Sequence, residues 1–245
     1  MRKLIFAFAI LITLSACSQS KSPGQSSSDQ LEVQTPELAD CDVTFGGIHF
    51  TKSINGAEKQ VSEADGIVTF RALPYSDYFK DPNEGKLTQD DAAILLTAVD
   101  NTKPFTLTAK VTSGFLSEGG LYNAGSFFVY ANDSLWQKLC FEQGDHGEHR
   151  IVSVRTLGTS DDNNHDVVDP AKSVYFKISS DTHTIASYFS LDGKSWQMVR
   201  LYENSYPDEL YIGISSQAPQ AEECVSTFEG LSLSNDNVGD FRMGD

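Results

Sequence analysis

Basic residues are scarce in this sequence. Its 245 residues carry 18 Lys and Arg against 34 Asp and Glu, a formal net charge of −16. Such a chain repels phosphates rather than neutralising them, so no nucleic-acid partner is expected. No apolar run is long enough to span a bilayer; the longest lies at residues 4–14. No long stretch carries a helical period. No segment of about 20–50 residues repeats, which argues against a propeller or solenoid. A P-loop, a dinucleotide fingerprint and a nucleophile elbow with Ser-His-Asp order are also missing. Cysteine is limited to four positions, 17, 41, 140 and 224. A folded part of about 200 residues needs no disulfide support to bury a two-sheet core. Hydrophobic content of 40% and aromatic content of 11% argue against disorder over most of the chain.

The N-terminus is a targeting segment at residues 1–16. Arg2 and Lys3 form a charged start, and a short apolar run follows. Leu14-Ser15-Ala16-Cys17 resembles the bacterial lipobox, in which the Cys is diacylated and becomes the first residue after cleavage. That resemblance implies a lipid anchor at Cys17 in the bacterial cell envelope. With Ser18 rather than Asp next, it implies the outer membrane in a Gram-negative cell. Residues 17–40 are rich in Ser, Gln and Pro without apolar periodicity, and read as a flexible tether. Loss of Arg2 and Lys3 leaves 16 basic against 34 acidic residues, a net charge of −18. Anionic head groups repel such a domain, so the anchor alone would hold it to a membrane.

One folded domain is expected at residues 41–235, with a C-terminal tail at 236–245. Residues 44–51, 66–72, 105–112 and 125–131 read as strands. Residues 92–99 fit either a short helix or a buried strand. Residues 75–89 read as a polar loop. Further strands are expected at 174–179, 184–190, 196–202, 210–215 and 225–233. Asn55-Gly56, Asn132-Asp133-Ser134 and Asp192-Gly193 mark turns. Ten or more short strands with turn residues between them point to an all-β sandwich or jelly roll.

Residues 135–162 hold the most suggestive polar side chains. Leu135, Gln137, Leu139 and Phe141 alternate with Trp136, Lys138, Cys140 and Glu142. In the next run Val152, Val154 and Thr156 alternate with Ile151, Ser153 and Arg155. Period-two alternation sends one set inward and the other outward. The apolar residues are taken as core. On that assignment one face presents Trp136, Lys138, Glu142, Ser153 and Arg155.

Several blocks match one family together. They are residues 136–142 (WQKLCFE), 152–162 (VSVRTLGTSDD), 188–196 (YFSLDGKSW) and 212–219 (IGISSQAP), with Cys224 and Phe228. In this order they resemble the DUF1349 family, a domain of unknown function. The resemblance runs over about residues 45–234. It implies a concanavalin A-like jelly-roll sandwich of two antiparallel sheets. In that fold the candidate concave face gathers Tyr130, Trp136, Lys138, Glu142, Ser153, Arg155, Asp161 and Asp162.

Three functions are weighed for that face. The leading expectation is non-catalytic binding of a polysaccharide or glycan, with sugar rings stacking on the aromatics. The bland alternative is a cross-strand charge network on a solvated face. A glycoside hydrolase needs paired carboxylates, here Glu142 with Asp161 or Asp162. Glucanases of similar fold carry Glu-x-Asp-x-x-Glu on one strand, and the nearest run, Glu63-Ala-Asp65, lacks the third carboxylate. A structural or protein-interaction module is the third possibility. No cofactor is expected. Asp161, Asp162, Asn163, Asn164, Asp166 and Asp169 offer hard oxygens for Ca2+ on an expected acidic loop. Val167 and Ser173 stand where a calcium loop has Gly and Glu, which favours a solvated loop. His146 and His149 are read as turn residues. Ser190-Leu-Asp192-Gly-Lys-Ser-Trp196 resembles an Asp-box hairpin, a structural element. Cys140 and Cys224 fit the family pattern as buried thiols, with a Cys41–Cys224 disulfide as the alternative.

Overall fold

The structure, a computed structural model, describes residues 36–245. Cys17 and the expected targeting segment lie outside the described residues. Seventeen strands follow one another with a single 3-10 turn, Ala57–Lys59, and no α-helix among the described residues. The strands are β1 Ala39–Phe45, β2 Ile48–Ile54, β3 Val61–Ala64, β4 Ile67–Arg71, β5 Tyr78–Lys80, β6 Thr88–Asp90, β7 Ile94–Asp100, β8 Phe105–Thr112 and β9 Ala124–Asn132. They continue with β10 Leu135–Gln143, β11 His149–Leu157, β12 Thr159–Val167, β13 Ser173–Ser180, β14 Thr184–Ser190, β15 Gln197–Glu203, β16 Glu209–Gln217 and β17 Val225–Ser234.

Eight of them form one sheet in the order β1-β2-β7-β16-β9-β10-β11-β12. Seven form the other, β15-β14-β13-β8-β17-β4-β3, and β5 and β6 make a separate hairpin. The pairings between neighbouring strands are antiparallel. This is the two-sheet jelly-roll sandwich that the pattern and the resemblance imply.

The main core lies between the sheets. Leu139, Phe141 and Ile151 from the first sheet meet Val111, Phe176 and Phe228 from the second. Phe127 stacks on Phe228 at 6.2 Å between ring centres and meets Phe176 edge-on at 5.8 Å. A second apolar cluster covers the opposite face of the eight-stranded sheet. Tyr78, Phe128, Tyr130, Trp136, Val152 and Val154 belong to it. Strands β9, β10 and β16 are therefore buried on both faces, the usual reason for a near-continuous apolar run.

Three expectations, and the alternative disulfide, need correction. Residues 161–169 are mostly strand β12, paired to β11, and not a loop. The expected polar loop at 75–89 contains β5 and most of β6 and folds over the eight-stranded sheet. The thiols of Cys41, Cys140 and Cys224 are free. Cys41 donates to the Phe50 carbonyl, and Cys224 lies by Ser226, so no bridge joins them. Residues 236–245 are docked rather than trailing: Val238 is buried, Tyr188 Oη donates to the Phe241 carbonyl at 2.7 Å, and Lys177 Nζ to that of Gly244 at 2.6 Å.

Candidate binding cleft on the eight-stranded sheet

The β10–β11 register decides which side chains share a face. Lys138 pairs with Val154, Cys140 with Val152 and Glu142 with Arg150. Directly opposed residues point the same way, so these six face outward with Trp136. Ser153 pairs with Leu139 and Arg155 with Gln137, and both point between the sheets. That overturns the expectation that Ser153 and Arg155 stand beside Lys138 and Glu142. Ser153 Oγ accepts from Arg200 Nε at 3.0 Å. The Arg155 guanidinium lies 4.2 Å from the Tyr202 ring centre. The physical reason is the hairpin. It covers Val152 and Val154 from outside, so their hydrophobicity does not mark the inner face.

The same register separates the two acids of β12. Asp161 pairs with Arg155 and meets Arg200 Nη1 at 3.2 Å, away from the outer face. Asp162 pairs with Val154 and lines the outer face. This alternation also scatters the oxygens weighed for Ca2+. Among the described residues no group of three or more His, Cys, Asp or Glu side chains gathers around a common point for a metal ion. His149 stacks on Phe115 at 4.2 Å, and its Nδ1 lies 2.6 Å from the Ala171 carbonyl.

Tyr130 and Trp136 do face outward but are buried. Tyr78 from β5 sits on them, 5.1 Å from the Trp136 ring centre and 6.4 Å from that of Tyr130. Trp136 Nε1 donates to the Asp133 carbonyl at 3.2 Å. Tyr78 Oη donates to Asp133 Oδ1 at 3.1 Å, and Lys80 pairs with the same carboxylate. Neither Tyr130 nor Trp136 is free to stack on a sugar.

Beside this covered half lies a cleft of about 380 Å³. Lys138, Glu142, Val152, Val154 and Asp162 supply its floor. Phe79 and Leu87 of the hairpin, with Tyr122, Asp145 and Gln217, supply its walls. Lys138 is 2% exposed. Its Nζ donates at 2.8 Å to Asp77 Oδ1 and at 2.8 Å to Gln217 Oε1. Burial works against that charge, but the carboxylate of Asp77 holds the ammonium above its ordinary range. Arg150 reaches Glu148 Oε1 with Nε at 3.1 Å and Nη2 at 3.0 Å.

Glu142 is the exceptional group. It is 7% exposed, and its carboxyl has no hydrogen-bond partner among the described residues. Burial pushes it up to about 8; Lys138 opposes the shift, and Asp77, Asp162 and Asp145 add to it. Asp162 is raised in the same way, by burial first and Asp77 after it, again against Lys138. Tyr122 Oη donates to Asp145 Oδ1 at 2.5 Å, which lifts the phenol to about 12.

Of the eight expected site residues, Lys138, Glu142 and Asp162 line the cleft. Asp77, Tyr122, Asp145, Arg150 and Gln217 were missed. Gln217 had a signal: it shares parity with outward Tyr211, opposite core Ile212 and Ile214. Asp77 had none, because it reaches the site through the hairpin.

The model of the family described as a protein of unknown function (DUF1349) matches residues 54–236. "Regulation of enolase protein 1" of Saccharomyces cerevisiae is 26% identical over 175 residues, which are 71% of this chain and 85% of the relative. A crystal structure of a functionally unknown protein from Saccharomyces cerevisiae superposes with a TM-score of 0.66 at 24% identity, covering 76% of this chain and 96% of that one. The structure of a xylan beta-1,4-xylosidase from Bacillus halodurans superposes with a TM-score of 0.53 at 13% identity. It covers 84% of this chain but 41% of that one, so the likeness concerns the fold of a part.

Proposed function

The chain belongs to the DUF1349 family, and on that footing we propose that its jelly roll binds a carbohydrate without catalysis in the cleft beside the β5–β6 hairpin. One observation carries the reading. Glu142 is 7% exposed at the cleft floor, and its carboxyl, without a protein partner among the described residues, is left to bond whatever occupies the cleft. Around it stand convergent polar groups, Gln217, Tyr122 and Asp162, and apolar walls at Phe79 and Leu87. That mixture suits a small polyol. The likeness to part of a xylosidase structure supports the reading only as an analogy of fold.

Isothermal titration of the full chain against neutral, amino and uronic oligosaccharides tests it. Binding at millimolar affinity or better, about −4 kcal/mol, is expected for at least one class. Gln217→Ala should weaken it. A folded protein that binds none of them, or binds undisturbed by Gln217→Ala, overturns the reading.

The same proposal places the domain on a bacterial envelope membrane through a lipid on Cys17. The lipobox sequence supports this. Labelled palmitate should enter the chain, and Cys17→Ser should release it from the membrane fraction.

A second reading has one observation in its favour. Glu142 and Asp162 share the cleft, and burial raises the Glu142 carboxyl to about 8, as the general acid of glycoside hydrolysis requires. Glu142→Gln would abolish turnover of any glycan substrate; unchanged turnover would remove that reading.

A further inference from the structure

The charges of the cleft narrow the class of sugar, given the carbohydrate reading above. Two cations line it, and each is already matched. Lys138 Nζ sits 2.8 Å from Asp77, and Arg150 Nη2 sits 3.0 Å from Glu148. Three further carboxyls, Glu142, Asp145 and Asp162, line the same cleft, and none has a cation within 4.0 Å among the described residues. Glu142 adds the independent sign of a ligand, a buried and unpartnered carboxyl facing the cavity.

We propose that the cleft takes an amine-bearing saccharide, a sugar with a free ammonium group, which these three carboxyls receive. An ammonium offers three donors to carboxylate acceptors and neutralises their mutual repulsion. A uronate would instead add a negative charge to a surface already at −16 overall. A neutral sugar would leave the carboxyls uncompensated. The crowding is visible in the protein itself: burial, with Asp77, Asp162 and Asp145 nearby, keeps a proton on Glu142 up to about pH 8. The ligand's ammonium takes the place of that proton, so binding near neutral pH releases protons to the buffer.

The experiment titrates the full chain with a β-1,4-linked glucosamine tetramer, its fully N-acetylated counterpart and the neutral glucose tetramer. The glucosamine tetramer should bind at least about tenfold tighter than the other two, the weight of one charge-assisted hydrogen bond. Titration in buffers of different ionisation heat should show proton release. Asp162→Asn should erase most of the preference. Asp145→Asn, in the loop between β10 and β11 rather than in a strand, should reduce it and guards against a folding defect in the first variant. Equal or tighter binding of the acetylated or neutral tetramer overturns the amine assignment and leaves the cleft a sugar site. A preference that survives both Asn variants overturns it too. If none of the three tetramers binds the folded chain, this assignment fails, and binding of other sugars in the wider panel then decides the carbohydrate reading separately.

Discussion

Replacing Glu142 by Gln should change how stability depends on pH, and the size of the change can be worked out. In the folded chain the Glu142 carboxyl titrates near 8, against an ordinary value of 4.5. Below pH 4.5 it is protonated in both states and costs nothing. Between pH 4.5 and about 8 the unfolded chain releases the proton while the folded chain keeps it. Stability therefore falls as pH rises, by up to about 1.4 kcal/mol per pH unit. Above about 8 both states are ionised and the loss is complete. Across the window the loss amounts to roughly 3–5 kcal/mol. The groups facing Glu142 are Lys138 on its own strand, Arg150 on β11, Asp162 on β12, Asp77 before the hairpin, and Asp145 and Tyr122 from the loops. Their own titrations remain in both proteins and cancel largely in the comparison. The glutamine side chain is nearly isosteric with the glutamate it replaces and stays neutral. Urea unfolding at pH 5 and pH 8.5 checks the argument. Glu142→Gln should gain roughly 3–5 kcal/mol relative to the parent between those two values. Parallel profiles, or a gain at the acidic end, would refute a buried, proton-holding Glu142.

Three other substitutions probe the frame around the cleft. Lys138→Met removes the cation paired with Asp77 and the donor to Gln217 Oε1, and should cost roughly 3–5 kcal/mol in urea unfolding. Gly213→Ala should prevent folding, seen as lost soluble yield and a flat thermal melt, because a Cβ there would lie 1.9 Å from the Leu95 carbonyl oxygen of β7. Tyr78→Phe removes the hydrogen bond to Asp133 and should lower Tm by about 2–4 °C, the effect of roughly 1 kcal/mol in a domain of this size.

Legibility in the sequence followed burial. Strand β8 matches the expected 105–112 because one face is buried and the other half-exposed, so Phe105, Leu107, Ala109 and Val111 alternate cleanly with Thr and Lys. Strand β12 was hidden. It is an edge strand rich in Asp and Asn, residues that ordinarily mark turns, and pairing with β11 overrides that preference. The site was legible only in part. Lys138 and Glu142 stood out as charges on a strand that is otherwise largely apolar, and the structure puts both on one face. The error over Ser153 and Arg155 came from equating apolar with inward, which fails on a sheet covered on both sides. What covers the outer side is the hairpin at β5–β6, distant in sequence from β10. No local pattern in β9 or β10 shows that Tyr130 and Trp136 end up beneath Tyr78.

Ligand is expected to bind in the cleft beside the hairpin. Backbone amide chemical shifts, followed by NMR while the full chain is titrated with the glucosamine tetramer, test it most directly. The shifts should cluster at Asp77 to Leu87, Lys138 to Asp145, Val152 to Asn164 and Gln217. Shifts confined to the outer face of the seven-stranded sheet, around Tyr175, Lys177 and Trp196, with the cleft silent, would contradict it.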